Sequence, residues 1–134
     1  MTNLKKIKKL LKIHKIDGYI IPKNNEFFGE YISEDEDKLK FISKFSGSYG
    51  FALILKKKNY LFVDGRYTLQ AKIQSGKEFK IITMPQKFPS DILGNKIMRI
   101  GFDPKLHTEM TFSRLFKKNK CNLIPLDENL VNKI

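Results

Sequence analysis

The sequence predicts a mixed α/β domain, a central sheet of about six strands with helices on both faces. Three observations carry that expectation. Residues 51–55 (FALIL) and 60–63 (YLFV) are uniformly apolar, which suits strands in the middle of a sheet covered on both sides. Only Lys56-Lys57-Lys58-Asn59 separates them, a stretch that fits a four-residue hairpin loop. From residue 64 onward, helical and strand patterns alternate, and such alternation lays helices over a sheet.

Taken in order, residues 3–16 put Leu4, Ile7, Leu10, Leu11 and His14 at helical spacing, with lysines opposite. Thr2 or Asn3 can cap the start. The stripe reads as a core-facing first helix rather than a membrane-surface one, because Asp17-Gly18 turns the chain directly into a strand. His14, alone at the stripe's edge, is expected to be structural. Tyr19-Ile20-Ile21 is a short buried strand stopped by Pro22, which has no donor for the ladder. The acidic run Glu34-Asp35-Glu36-Asp37 lacks the oxygen-ligand spacing of a calcium loop. It reads instead as the first turn of a helix capped by Ser33 and favoured by the helix dipole.

Gly47 and Gly50 in FISKFSGSYG (residues 41–50) are expected to supply positive φ or close backbone contact. The turn has no Gly-Lys-Ser/Thr after it, so it is not a P-loop. After Asp64-Gly65-Arg66-Tyr67, the residues Tyr67, Leu69, Gln70, Ala71 and Ile73 suit a helix ending near Gly76. Residues 79–84 read as a strand, 88–95 as a short helix, 98–102 as a strand, 108–118 as a helix and 122–124 as the last strand. The tail from Asp127 begins one more element.

Bulk composition narrows the function. A chain of 134 residues is one domain by length, able to bury about two thirds of its unfolded surface without a disulfide or metal. The lone Cys121 excludes an internal disulfide and fits a reducing compartment; it reads as a small packing residue rather than a nucleophile. No apolar run reaches membrane-spanning length, and Lys12, His14 and Lys15 break the N-terminal apolar stretch. A cytoplasmic address without a secretory signal is expected. The net charge of +12 invites a nucleic-acid partner. However, of 26 basic residues only Arg66, Arg99 and Arg114 are arginine, and the lysines are scattered. Phosphate and base recognition favours arginine's flat fork, so neither nucleic acid nor membrane is expected as a partner.

Several ordered stretches resemble a known family. These are DGYIIP (residues 17–22), Glu30-Tyr31-Ile32, FIS-x-FSGS-x-G (41–50), VDGRY-x-LQA (63–71), IGFDP (100–104) and LIPLDENLVNKI (123–134). Together they are similar to the N-terminal domain of Xaa-Pro aminopeptidase (aminopeptidase P), of the creatinase/prolidase type, over essentially the whole chain. The resemblance implies a ribonuclease-H-like sheet topology and a cytosolic enzyme that removes an N-terminal residue preceding proline. It also implies that the chemistry, two manganese ions with a bridging hydroxide, belongs to a separate C-terminal catalytic domain. That domain is expected to be absent from this single-domain chain, residues 1–134, which would then hold no catalytic or metal-binding residue and be inactive alone. The family's implied partners are that catalytic domain, a second subunit in a homodimer, and a peptide with proline in the second position.

The one site residue the resemblance places here is Arg66, as a substrate contact. A guanidinium on a strand-to-helix turn suits a backbone carbonyl or carboxylate; the competing reading pairs Arg66 with Asp64 or stacks it on Tyr67. Two departures from the family pattern stand out. Lys44 replaces a common glycine, predicting a less strained turn, and Lys38 and Phe27 replace a common arginine and histidine. Two other functions compete: a stand-alone dimerisation or regulatory module, and a nuclease using Asp17, Asp64 and Asp103. Asp17 precedes its strand while the other two follow theirs, which separates them if the strands run parallel.

Overall fold

A computed structural model describes residues 2–23, 37–94, 96–107, 116 and 121–134. The expected helix at 108–118, most of the acidic run with Ser33, the Glu30-Tyr31-Ile32 segment and Phe27 lie outside the described residues, Asp37 and Phe116 excepted.

Helix α1 spans Asn3–Ile13, and Thr2 caps it, its Oγ1 accepting from the Lys5 N–H at 3.2 Å. Leu4, Ile7 and Leu11 are buried as the periodicity requires, each contributing roughly 2 kcal/mol of apolar burial. His14 is the C-cap. Lys15 then takes a left-handed φ of 56° and turns the chain into β1, Gly18–Pro22. Every residue of β1 is buried.

The next helix, α2, is Lys38–Ser43, and Asp37 itself is the cap. This corrects the expected start: rather than sitting in a first turn capped by Ser33, the last acid of the run accepts from the Lys40 N–H at 3.1 Å. Asp37 is also paired with the Lys23 ammonium, tying the end of β1 to the start of α2. A second correction concerns Lys44, which caps the other end in the left-handed region with φ 68°. The turn keeps its glycine-like conformation because the Lys44 N–H bonds the Lys40 carbonyl at 2.8 Å and the Phe45 N–H bonds Ser43 Oγ at 3.2 Å.

Strands β2 (Phe51–Leu55) and β3 (Asn59–Asp64) form the expected hairpin. The loop has three residues, not four, because Asn59 already pairs with Ile54. Helix α3 (Thr68–Ser75), β4 (Lys80–Met84), the short α4 (Pro89–Leu93), β5 (Arg99–Phe102) and β6 (Asn122–Pro125) follow. A 3-10 helix at Leu130–Lys133 forms from the tail.

The six strands run in the order β4-β3-β2-β1-β5-β6. β2 is antiparallel to both neighbours, while the β3–β4, β1–β5 and β5–β6 pairs are parallel. Five strands therefore point one way and β2 alone points back. Helices α1, α2 and α3 and the C-terminal 3-10 helix cover one face, with Leu11, Leu39, Ala71 and Leu130 in that core. The other face packs Ile20, Leu53, Phe62 and Ile100 against Leu93 of α4 and Phe116. Alternate residues of the central strands feed the two cores, which is why these strands read as continuous apolar runs.

One helix faces differently from its sequence pattern. On α3, Leu69 and Ile73 are 70% and 77% exposed, whereas Ala71 and Ser75 are buried. The small residues let α3 lie close to its neighbours, and Ser75 Oγ donates to the Ser43 carbonyl at 2.7 Å. Close approach selects the small face inward and leaves the apolar pair outside.

Candidate functional site

β3 ends on Asp64, and its carboxylate closes the turn that follows. Oδ1 accepts from the Arg66 backbone N–H at 2.9 Å, capping a 3-10 turn over Gly65–Tyr67. The same carboxylate takes one edge of the guanidinium, Nε to Oδ1 at 3.3 Å and Nη2 to Oδ2 at 2.9 Å. Arg66 Cζ also lies 5.2 Å from the Tyr67 ring centroid, a cation–π distance. Both contacts of the structural reading of Arg66 are thus present, yet its side chain is 76% exposed. A side-on carboxylate and a ring face fix the orientation of the guanidinium while its other edge faces solvent. The hydrogen bond from Arg66, helped by its charge and its backbone N–H, holds the Asp64 carboxyl below the usual carboxylate range.

The base under Arg66 is braced by the segment 45–48. The Ser48 hydroxyl and the Tyr67 phenol are hydrogen-bonded, and the Phe45 ring meets Tyr67 edge-on at 6.1 Å. Gly47 sits against the Phe45 ring so tightly that a Cβ would come within 2.3 Å of it. Gly50 approaches the Phe62 carbonyl, where a Cβ would stand at 3.0 Å. The close contact expected of these two glycines is present. Ser46 Oγ accepts from both Gln70 Nε2 (3.1 Å) and Gln74 Nε2 (2.8 Å), and the Ser46 N–H donates to Gln74 Oε1 at 3.0 Å. Thr68 and Thr83 share a 2.9 Å hydroxyl contact that pins the start of α3 to β4. Composition and spacing do not reveal this clamp, since its partners lie 15 to 28 residues apart. The only hint was that FSGS and LQA belong to the same ordered set of stretches.

The carboxylates of the nuclease reading do not converge. β1, β3 and β5 run in the same direction, so Asp17 lies at one end of the sheet and Asp64 and Asp103 at the other. Each is also engaged: Asp17 with the Arg99 N–H and Lys56, Asp64 with Arg66, Asp103 with Asn129 and the Lys105 N–H. Among the described residues no group of three or more His, Cys, Asp or Glu side chains is placed to hold a metal. The donor set of a two-metal centre is therefore not assembled among the described residues. Cys121 packs half-buried beside the second core, and burial raises its thiol pKa, the opposite of what activates a nucleophile. Among the described residues, no helix is long and apolar enough to cross a membrane.

Comparison with known proteins identifies the family. The family model for the creatinase/prolidase N-terminal domain matches residues 3–134. A probable Xaa-Pro aminopeptidase P of Laccaria bicolor is 34% identical over 140 residues, covering 96% of this chain and 22% of that protein. One from Penicillium rubens matches at the same identity and coverage. The chain thus spans about a fifth of the length of these curated relatives. Among solved structures, the X-prolyl aminopeptidase of Caenorhabditis elegans, described as a cytosolic enzyme with a di-nuclear active site, superposes with a TM-score of 0.81 at 27% identity. The match covers 98% of this chain and 25% of that one. The N-terminal domain of the cytoplasmic peptidase PepQ from Mycobacterium tuberculosis shares the fold at a TM-score of 0.73 and 18% identity, over 98% of this chain and 96% of that one. With one family model matching nearly end to end and the same sheet recurring in isolated N-terminal domains, this chain belongs to the creatinase/prolidase N-terminal domain family.

Proposed function

We propose that this chain is the non-catalytic domain of a cytoplasmic Xaa-Pro aminopeptidase, and that Arg66 contacts the peptide whose N-terminal residue precedes proline. Peptide-bond hydrolysis, with the two manganese ions implied by the family, then belongs to a catalytic domain of the same protein. The observation that carries the reading is the solvent-facing guanidinium, fixed along one edge by Asp64 at the C-terminal end of a parallel strand. Ligands of open α/β sheets gather at that end, and an oriented fork loses little freedom when it meets a carbonyl or carboxylate.

The test is Arg66→Ala in an enzyme that carries this domain together with its catalytic portion. A charge-assisted hydrogen bond is worth about 1.5–3 kcal/mol, so kcat/KM for an Xaa-Pro peptide should fall by about 10- to 100-fold with the melting temperature nearly unchanged. Equal kcat/KM in the variant, or a collapse of folding, would remove the reading.

A second function, a dimerisation or regulatory module without peptidase activity, is favoured by one observation. Leu69 and Ile73 form an exposed apolar pair on α3, one turn from Arg66. Subunit pairing through this face in a homodimer is compatible with either reading. Sedimentation of the 134-residue chain, with Leu69→Asp as control, separates a pairing surface from a merely exposed one.

A further inference from the structure

At the other end of the sheet from Arg66, the β2–β3 turn and α4 leave an open cleft of about 450 Å³. Its floor is apolar, made by Leu55, Tyr60, Ile92, Leu93 and Met98, and its rim carries Lys56, Lys57, Lys58 and Lys96. Two of its apolar residues, Ile92 and Leu93, come from α4, a helix of five residues. Its volume lies in the range of small-molecule sites, about 300–1,000 Å³.

Among the described residues the rim is only partly neutralised. Lys56 reaches the Asp17 carboxylate at 3.6 Å, and that carboxylate also accepts from the Arg99 N–H at 2.8 Å. Lys57, Lys58 and Lys96 are exposed and have no ion-pair partner among the described residues. Three ammonium groups without an ion-pair partner among the described residues, above an apolar floor, call for an anionic head on an apolar body. The resident Asp17 carboxylate in the wall repels a dianion such as phosphate more strongly than a singly charged head.

We propose that this cleft binds a small amphiphilic carboxylate, with its head between Lys57, Lys58 and Lys96 and its apolar body on Tyr60, Ile92 and Met98. The site is independent of any role for Arg66. Lysine suits it, since flexible point charges can gather round a carboxylate without the fixed geometry of arginine. Because the rim faces solvent, affinity must fall as salt shortens the reach of the charges, from about 10 Å at 0.1 M to about 3 Å at 1 M.

The experiment is a nuclear magnetic resonance titration of the isotope-labelled 134-residue chain with octanoate, 1-octanol and acetate as separate probes. Octanoate should give saturable shifts confined to residues 55–60 and 92–98, and the neutral and short probes should bind at least about tenfold more weakly, because each lacks one half of the recognition. The double variant Lys57→Glu, Lys58→Glu should weaken octanoate by at least about tenfold while melting at the parent temperature, since both side chains project from an exposed turn. Any of four results overturns the proposal: no saturation by octanoate, shifts spread over the lysines of α1, acetate binding as tightly as octanoate, or undiminished binding by the folded double variant.

Discussion

Asp103, just after β5, accepts a hydrogen bond from Asn129 at 3.0 Å, and both residues are nearly buried, at 7% and 4% exposure. The other amide atom, Asn129 Oδ1, caps the 3-10 helix by accepting from the Val131 N–H at 3.0 Å, while Tyr19 OH accepts from the Leu130 N–H at 3.3 Å. These bonds hold Leu130 and Val131 in the same core as Leu4, Ile7 and Leu11 of α1. Asn129→Ala should therefore cost about 2 kcal/mol, because it leaves a buried carboxylate one donor short. Asn129→Asp should cost more by facing two carboxylates. Urea unfolding measures both, and a midpoint unmoved by either change would show that the latch carries no stability.

Lys44 sits at φ 68° with a side chain the conformation disfavours. A non-glycine residue there costs about 1–2 kcal/mol, while glycine's extra freedom in the unfolded chain returns part of that difference. Lys44→Gly should raise stability by up to about 1 kcal/mol, or a few degrees in melting temperature. Lys44→Val should lower it, since a β-branched side chain tolerates the left-handed region worst. Calorimetry on the pair reads the sign directly.

His107 is largely buried beside Phe102, whose ring meets it edge-on at 6.0 Å. Burial lowers its pKa from 6.5 to about 4, against a smaller opposing pull from the Asp103 carboxylate. The folded state thus keeps the ring neutral where the unfolded chain already binds a proton. As pH falls from about 6.5 to about 4, stability should drop by up to about 1.4 kcal/mol per pH unit from this group. Between pH 7 and pH 5 the unfolding free energy of the parent should fall further than that of His107→Phe. Parallel pH profiles would mean the ring is solvated in the folded state.

Asp64→Asn keeps an oxygen to cap the turn but removes the charge that holds the guanidinium. The Arg66 Nε–H resonance should move toward its free-chain position while the melting temperature stays close to the parent's, because the pair is exposed and screened. In the parent, the depressed Asp64 pKa keeps the pair intact above the usual carboxylate range, and it should be lost only as pH falls below that range. An Nε–H resonance that ignores both the substitution and acid would show that Asp64 does not orient Arg66.

Much of this molecule was legible in one dimension. Apolar runs at residues 51–55 and 60–63 specified two central strands because a strand covered on both faces has no polar side to show. The 3.6-residue stripe of Leu4, Ile7 and Leu11 specified α1, and Thr2 its start. The Asp-Gly-Arg-Tyr turn located the candidate site, and the ordered motifs located the family. What sequence could not supply was direction and partnership. Strand order and the lone reversal of β2 arise from pairings between residues far apart along the chain. The outward face of Leu69 and Ile73 was missed because a local pattern cannot register that Ala71 and Ser75 permit a closer approach. The same limit hid the Ser46–Gln74 clamp, the Asp103–Asn129 latch and the lysine-rimmed cleft. Each is made by side chains from separate segments, and only the folded backbone sets the distance between them.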